Sequence, residues 1–342
     1  MKIGEIRELI LFGGGSLLIE IAKESTKNGL KTHVFAVKRH LDEVIDEKNR
    51  STMREMLDQG KIPYFQVKDI NTSTELRALV SGNTLGIGLG EVYTFNKETI
   101  ALFKGKLFDF MVINLPQYRG GAHFTWQILR GDKTGCWNIQ VINEEMVPAV
   151  FDSGEILKRR EYKIPDEASI PQDYFDLSEK EGLILFIEFI KEIKDGKDFE
   201  LKGLDEGNSL YLPRLNTLKH GYVDWSWELK EIERFICAFD DPYAGASTFI
   251  NGKKVFIKNC RHEMDGEAFH PFISGIVYKK NADTLFVAIK DGTLAIKRVL
   301  DESGRSLLSE IRVGQRFFTP AKYIEEAMLF NADYDSEGLV KC

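Results

Sequence analysis

The stretch from 107 to 157 constrains the fold of this chain more than any other segment. It opens with an apolar run that ends at Pro116, which predicts a strand, and a turn of small residues follows at 120–122. Residues 124–129 then carry apolar side chains at the spacing of one helix face, and a second apolar run at 136–142 predicts another strand. Strand, turn, helix and strand in this order are typical of open α/β sheets, which place functional groups at strand ends.

The chain before this stretch also alternates between the periods of strands and helices. Strands are predicted at 9–12, 32–37, 61–67 and 85–89, and helices at 17–28, 75–80 and 94–103. This alternation predicts an α/β domain with a parallel-rich, Rossmann-like sheet. The first turn, 13–16, is rich in glycine, but Leu18 replaces the third glycine of a dinucleotide-binding motif. A tight turn or a cradle for another phosphate is therefore expected there.

The composition of the chain changes in its last third. A strand at 156–162 and a helix at 183–193 are followed by a polar segment with several glycines, which predicts a linker. Beyond Tyr222, a helix with an apolar face precedes the hairpin signal Asn251-Gly252 and several short strands. We expect a first domain at 1–205, a linker at 206–221 and a small β-domain at 222–330.

The net charge, the cysteine spacing and the length of the apolar runs argue against several classes of function. The 342 residues carry a formal net charge of −7, which argues against a general binder of polyanions. The four cysteines have no CxxC spacing, so no metal site is expected. No secretory signal is predicted, and no apolar run approaches the ~18 residues of a membrane span. We expect a cytoplasmic protein without membrane contact.

Several motifs along the chain resemble one family. They are Leu-Pro-Gln-Tyr-Arg-Gly-Gly at 115–121, Gly-Asp-Lys-Thr-Gly at 131–135 and Asp-Ser-Gly-Glu-Ile-Leu at 152–157. Together they look like the catalytic domain of the 10-formyltetrahydrofolate-dependent formyltransferases, which act on methionyl-tRNA or on nucleotide-linked amino sugars. The block at 224–257 is similar to the C-terminal domain of the tRNA branch. The resemblance implies a Rossmann-like N-terminal domain and a small OB-like β-barrel.

The chain departs from the family at its catalytic signature, Asn-x-His. An alignment without gaps, anchored at Leu115-Pro116, puts Asp109 in the place of the Asn and Met111 in the place of the His. An alignment with a deletion makes Asn114 the family Asn instead. Neither alternative leaves a His in the catalytic position, whereas Asp152 matches the family Asp.

The resemblance implies acyl transfer to an amine. In the family the Asn and His polarise the formyl oxygen, and the Asp orients the His and relays protons. Three groups could compensate here: His123 by moving toward the missing His, Asn114 through its amide, or Asp109 as a protonated carboxyl group that donates. His123 could equally cap the following helix or bind a substrate phosphate. Asp152 is expected to be the intact catalytic group.

Two segments correspond to the walls of the family's folate pocket. One is Leu89, Gly90, Glu91, Val92 and Tyr93, at the glycine-flanked end of a strand, and the other is Ile142, Asn143, Glu144 and Glu145. Glycines at a strand end let a ligand approach the backbone closely, although they can also serve packing alone. We expect 10-formyltetrahydrofolate to bind there as the formyl donor, mainly through backbone groups.

The sequence leaves two classes of acceptor open, tRNA and a nucleotide-linked amine. Arg119 and Gly120 are candidates for binding a substrate phosphate, although an ordinary salt bridge of Arg119 is an alternative. The mixed charges of 38–60 differ from the basic insertion of the tRNA branch, which favours a nucleotide-linked amine over tRNA. The C-terminal block could bind nucleic acid or form a homodimer. The alternative to a formyltransferase is an altered or inactive relative that binds folate or nucleotide, or one that transfers a different one-carbon or acyl group.

Overall fold

The structure is a computed structural model that describes residues 1–46, 49–90, 93–143, 154–263, 267–332, 334–335 and 338–339. The strands of the first part are β1 (Glu8–Gly13), β2 (Lys31–Ala36), β3 (Val44–Asp46), β4 (Ser51–Thr52), β5 (Tyr64–Gln66), β6 (Thr84–Leu89), β7 (Leu107–Met111), β8 (Arg119–Gly120), β9 (Thr134–Val141) and β10 (Ile156–Lys163). Its helices are α1 (Ser16–Lys27), α2 (Lys38–Leu41), α3 (Met53–Gln59), α4 (Thr74–Leu79), α5 (Lys97–Leu102), α6 (His123–Arg130) and α7 (Pro171–Lys194).

The remaining elements follow α7. The strands are β11 (Tyr211–Leu212), β12 (Ala246–Ile250), β13 (Lys253–Glu263), β14 (Val277–Lys280), β15 (Leu285–Ile289), β16 (Gly292–Leu300), β17 (Phe317–Phe318), β18 (Tyr334–Asp335) and β19 (Gly338–Leu339). The helices are α8 (Thr217–His220), α9 (Leu229–Ala238) and α10 (Ala321–Leu329). No helix of the described residues has the length and apolarity needed to cross a membrane.

Seven strands form the first sheet, in the order β10-β9-β7-β6-β1-β2-β5. The five strands from β7 to β5 are parallel, and β9 runs antiparallel between β7 and β10. Helices cover both faces, as the near-continuous burial of β1, β2 and β6 requires. This confirms the predicted Rossmann-like, parallel-rich domain.

The two faces of the first sheet have separate apolar cores. On one face, α1, α3 and α7 pack over residues such as Leu11, Phe110 and Ile139. On the other face, α4 and α5 cover a smaller core that contains Phe12 and Phe103. The two helices on the second face are short, and the candidate site lies on that face.

The second sheet has six strands in the order β14-β15-β16-β13-β12-β17, all with antiparallel neighbours. The hairpin β12–β13 turns at Asn251-Gly252, where both residues have positive φ. This confirms the predicted hairpin, and the six-stranded antiparallel sheet, which forms a half-barrel, is consistent with the expected small OB-like barrel. The two sheets lie on either side of the expected linker at 206–221, and the domain limits themselves remain a prediction.

Two elements differ in length from their sequence-based prediction. Helix α7 begins at Pro171 rather than at 183, because Pro171 occupies its first turn and the Asp173 carboxylate accepts from the backbone amides of 169 and 170. Strand β7 ends at Met111 rather than at Pro116. The chain leaves the sheet there in a local turn, in which the amide of Leu115 donates to the Ile113 carbonyl at 3.0 Å.

Candidate active site

The candidate residues of β7 lie on the face of the sheet opposite to its two phenylalanines. Phe108 and Phe110 point toward α7, where Phe108 packs edge-on against Phe189 and Phe110 stacks on Trp137 of β9. Since side chains alternate along a strand, Asp109 and Met111 point to the other side of the sheet. Asp109 is partly buried and Met111 is 8% exposed.

Asp109 has a direct cross-strand neighbour. It pairs with Gly88 of β6 on one side and with Gln140 of β9 on the other. Gln140 in turn pairs with Ile156, at the start of β10. Residues paired in this way project from the same face of a sheet, with Cβ atoms about 5 Å apart. Asp109 and Gln140 therefore form the floor of the candidate site.

Gln140 links this floor to Gly154, just before β10. Its side chain is fully buried, and its Nε2 donates to the carbonyl of Gly154 at 2.7 Å. Gly154 is the glycine of the Asp-Ser-Gly motif that begins at Asp152. Asp152 itself lies outside the described residues, so its role as the catalytic carboxylate remains a prediction.

The loop after β7 is fixed above β9 and β10. Asn138, two residues before Gln140 and also fully buried, donates to the Ile113 carbonyl. Arg159 of β10 donates to the Leu115 carbonyl at 2.8 Å and to the Asn114 Oδ1 at 2.5 Å. Asn114 is thus held beside β10, two strands from β7 in the sheet order. The structure does not place Asn114 next to Asp109 along the strand.

His123 is the first residue of α6, and aromatic rings surround it. Its imidazole packs edge-on against Tyr118 and tilted against Phe124, with ring centroids 5.3 Å apart in both pairs. Burial lowers the pKa of His123 to about 3, so the ring is neutral at physiological pH. Neither ring nitrogen has a hydrogen-bond partner among the described residues. A movement toward the vacant His position would require this ring to leave its aromatic packing.

Arg119 is held by an acidic residue from the expected linker. Its guanidinium donates to both carboxylate oxygens of Glu206, at 2.6 and 2.7 Å, and to Ser209 Oγ at 3.0 Å. The side chain of Arg119 is only 8% exposed. In this state the guanidinium already makes the bidentate contact that a phosphate would need. The salt-bridge alternative therefore describes the observed contact, and phosphate binding by Arg119 remains a prediction.

The expected linker packs against the Leu-Pro-Gln-Tyr-Arg-Gly-Gly motif instead of crossing open solvent. Strand β11 pairs in parallel with β8, and Gly120 has a φ of 109° there. A Cβ at Gly120 would lie 2.0 Å from the Leu212 carbonyl oxygen, so only glycine fits. Trp126 Nε1 also donates to the Pro213 carbonyl at 2.9 Å. Glu206 is not predictable as a site residue from the sequence, because a single acidic residue in a polar segment gives no signal of its distant partner.

The two expected folate walls approach the same core. Tyr93 and Ile142 both pack into the small apolar cluster around Phe12 and Phe95. The Tyr93 hydroxyl donates to the Val67 carbonyl at 2.7 Å, and burial raises the pKa of Tyr93. Gly90 directly follows β6 with a φ of 61°, and a Cβ there would have only ordinary contact with Gly14.

The other residues of the two walls are described only in part. Leu89 is 6% exposed and belongs to the core on the α1 side of the sheet, and Asn143 follows Ile142 beyond β9. Glu91, Val92, Glu144 and Glu145 lie outside the described residues.

Two basic residues of 38–60, Lys38 and Arg54, share one acidic partner. Asp42 accepts from Lys38 Nζ at 2.8 Å and from Arg54 at 3.2 Å, and these hydrogen bonds lower the pKa of Asp42. Arg54 also donates to Gln66 Oε1 at 3.0 Å. This segment therefore presents a mixed surface in which two of its positive charges share one carboxylate.

Comparisons with known proteins agree with this architecture. The sequence profile described as "Formyl transferase, C-terminal domain" matches residues 217–310. Methionyl-tRNA formyltransferase of Treponema denticola is 28% identical over 246 residues, which is 69% of this chain and 72% of that protein. The methionyl-tRNA formyltransferase of Agathobacter rectalis is 26% identical over 219 residues, covering 63% and 64%.

A solved structure shares the fold. It is WlaRD, a sugar 3N-formyl transferase crystallised in the presence of dTDP and 5-N-formyl-THF. The two chains superpose with a TM-score of 0.62 and 18% identity, over 87% of this chain and all of the other. The profile match and the sequence relatives make this chain similar to formyltransferases, and the solved structure shares its fold.

Proposed function

We propose that the protein transfers a formyl group from 10-formyltetrahydrofolate to the amine of a small, nucleotide-linked amino sugar. The observation that carries this proposal is the row Gly88, Asp109, Gln140 on one face of the sheet, tied through Gly154 to the loop of Asp152. In this proposal the chain keeps the family scaffold and the carboxylate of Asp152. The residues near the formyl oxygen differ, with Asp109 and Met111 in place of the family Asn and His.

The donor fits the described part of the site. A pterin ring is flat and apolar on its faces, and the aromatic and aliphatic side chains of Tyr93, Phe95 and Ile142 form one cluster beside the end of β6. Gly90 lets a ring edge approach the backbone closely. These residues would hold the donor, and the donor supplies the activated formyl group.

Two carboxylates then have separate tasks. Asp152 takes the proton of the amine as its nitrogen adds to the formyl carbon. The bond between the formyl carbon and the donor nitrogen then breaks, and the proton passes to that nitrogen, so that tetrahydrofolate leaves. Asp109 lies where the family has an Asn, and an ionised Asp109 would repel the oxyanion that develops on the formyl oxygen. As a neutral carboxyl group it donates a hydrogen bond to that oxygen instead. Asp109 is favoured among the three groups that could replace the family donors, because its cross-strand neighbour Gln140 bonds to Gly154 of the Asp-Ser-Gly motif.

The charge distribution favours a small acceptor over tRNA. Contacts with several RNA phosphates require unpaired basic residues. Near the motif, Arg119 is paired with Glu206, and in the 38–60 region Lys38 and Arg54 share Asp42. One diphosphate needs fewer cations than an acceptor stem does. Methionyl-tRNA stays the second candidate, because the sequence relatives reported above are methionyl-tRNA formyltransferases.

The first prediction concerns the donor site. A reduced folate titrated into the protein should shift the backbone amide resonances of Leu89, Gly90, Tyr93, Ile142 and Asn143, because the ligand lies between these two segments. Amides of the second sheet, such as those of β15, serve as the internal control. A saturating titration that shifts neither segment would rule out this pocket.

The second prediction separates the two acceptors by salt dependence. For methionyl-tRNA, log K should fall by about 0.7–0.9 per phosphate contact for each tenfold rise in salt. A nucleotide sugar held by one diphosphate should give a slope of about two or less. We expect the shallow slope together with turnover of the nucleotide sugar. A slope that corresponds to six or more contacts, with turnover of methionyl-tRNA, would assign the protein to tRNA.

A further inference from the structure

An aromatic cavity lies between α6 and α9, on residues that the transfer chemistry described above does not use. It has a volume of about 540 Å³, which is within the range of cavities that bind small molecules. Four aromatic side chains line it, Trp126, Trp227, Phe235 and Phe239, and Met328 and Glu231 lie in its wall as well. Its surface is therefore suited to a flat ring with a polar edge.

The contacts of the aromatic side chains fix the two sides of this cavity. On the α6 side, Trp126 Nε1 donates to the Pro213 carbonyl at 2.9 Å. On the α9 side, Trp227 packs edge-on against Phe235 with ring centroids 5.1 Å apart, and Phe235 is tilted against Phe239 at 4.9 Å. Both tryptophans are only partly buried, so a ligand can reach their rings.

A second cavity, of about 210 Å³, adjoins the aromatic one and is more polar. Leu215 and Phe239 line both cavities. The smaller cavity also has four side chains with polar groups, Thr125, Arg214, Thr217 and Tyr243. The two cavities together form one groove, the α6–α9 groove, with aromatic rings at one end and hydroxyl groups and a cation at the other.

Arg214 lies where the α6–α9 groove meets the Arg-Gly-Gly motif. A Cβ at Gly121 would come within 2.8 Å of Arg214 Nε and 2.9 Å of its Cβ, so the glycine leaves room for this arginine. Arg214 is exposed, and a guanidinium matches the oxygens of a phosphate. Arg119, the cation expected to bind phosphate, is engaged by Glu206. Arg214 is therefore the better-placed cation for an anionic ligand in this groove.

The aromatic cavity also carries a hydrogen-bond acceptor. Glu231 accepts from Arg234 Nη1 at 3.1 Å through one oxygen, and a carboxylate can also accept from N–H groups at the edge of a nucleobase. We propose that the α6–α9 groove binds a nucleoside diphosphate, with its base against Trp126 and Trp227 and its phosphates at Arg214. Aromatic side chains stack on bases of any kind. This inference rests on the proposed function, because the nucleotide part of the acceptor is the ligand assigned to the groove.

The test measures binding without turnover, by calorimetric titration with uridine, thymidine, adenosine and guanosine diphosphates. We expect at least one of them to bind with a dissociation constant below about 1 mM, the upper end of usual KM values. In variants that melt as the wild type does, Arg214→Gln and Trp227→Leu should each weaken that binding about tenfold or more. The controls Arg312→Gln and Phe272→Leu remove an exposed arginine and an exposed ring that line neither cavity, and they should change it less than about twofold.

Tryptophan fluorescence locates the bound nucleotide. Trp137 and Trp225 are 4% and 6% exposed, so quenching by the ligand should come from Trp126 and Trp227. The nucleotide should no longer quench in the double variant Trp126→Phe/Trp227→Leu. Quenching that persists there, no binding of any of the four diphosphates, or equal losses in the controls would each overturn the proposal.

A last comparison separates the two sources of such a nucleotide. A single-stranded RNA trinucleotide should bind no more tightly than the best diphosphate. Tighter RNA binding that depends on Arg214 and Trp227 would support the groove as a nucleotide site and overturn the small acceptor proposed above. Diphosphate binding without formyl transfer would support the groove and refute the proposed function. Transfer to a nucleotide-linked sugar with KM unchanged in Arg214→Gln and Trp227→Leu would support the function and refute the groove.

Discussion

Asp152→Asn is expected to lower the turnover number by about 100-fold or more, because general base catalysis typically contributes a factor of ~10²–10⁴. Asparagine keeps the shape and hydrogen-bonding reach of aspartate but cannot accept a proton from the amine. Folate affinity should change little, since the pterin is held by other segments. The measurement is kcat and KM for formyl transfer, together with the dissociation constant of a reduced folate.

His123→Ala is the companion variant for this prediction. The imidazole is neutral and packed between Tyr118 and Phe124, so its loss should mainly affect stability. We expect kcat to stay within about threefold while the melting temperature falls. A loss of turnover comparable to that of Asp152→Asn would mean that His123 has taken the role of the missing family His. Unchanged turnover in Asp152→Asn would show that the inherited mechanism does not apply to this chain.

Restoring the family residues at β7 should raise the turnover number. Asp109→Asn replaces a carboxyl group, which donates only when protonated, with an amide that donates at every pH. Preorganised donors to an oxyanion are typically worth ~10²–10³-fold each. We therefore expect Asp109→Asn alone to raise kcat at neutral pH by about tenfold or more. Asp109→Asn combined with Met111→His should raise it further.

The control for this gain is the single variant Met111→His. Met111 is 8% exposed and packs with Leu115 and Ile156, so a polar ring there costs stability. The melting temperature of each variant is measured first, and rates are compared only between folded proteins. A fall of kcat in Asp109→Asn to the level of Asp152→Asn would contradict a donor role for Asp109. It would indicate that the Asp109 carboxylate itself accepts a proton.

The fold could be predicted where local periodicity carries the information. The first strands of the sheet, helix α1 and the hairpin at Asn251-Gly252 follow from alternating or helical spacing and from turn residues. Apolar spacing does not predict the beginning of α7, because the first turns of this helix are rich in polar residues. Only tertiary packing shows why Gly182 lies in its middle, where a Cβ would come within 2.7 Å of Trp137.

The candidate site was predictable only in part, because local spacing does not show which distant segments come into contact. Asp109, Met111 and the Asp152 motif stand out because they can be compared with a known signature in the linear sequence. The contacts that organise them depend on strand register and on distant segments. Gln140 opposite Asp109 is visible only once β7 and β9 are paired, and Glu206 lies 87 residues from Arg119 in the chain.

The most direct test of the central claim follows the formyl group itself. The protein is incubated with 10-formyltetrahydrofolate carrying a labelled formyl carbon and with a nucleotide-linked amino sugar. The account predicts that tetrahydrofolate is released in equal amount to a labelled formamide on the sugar nitrogen, and that Asp152→Asn slows both. Release of tetrahydrofolate without labelled sugar, or no labelled product from either the amino sugar or methionyl-tRNA, would contradict it.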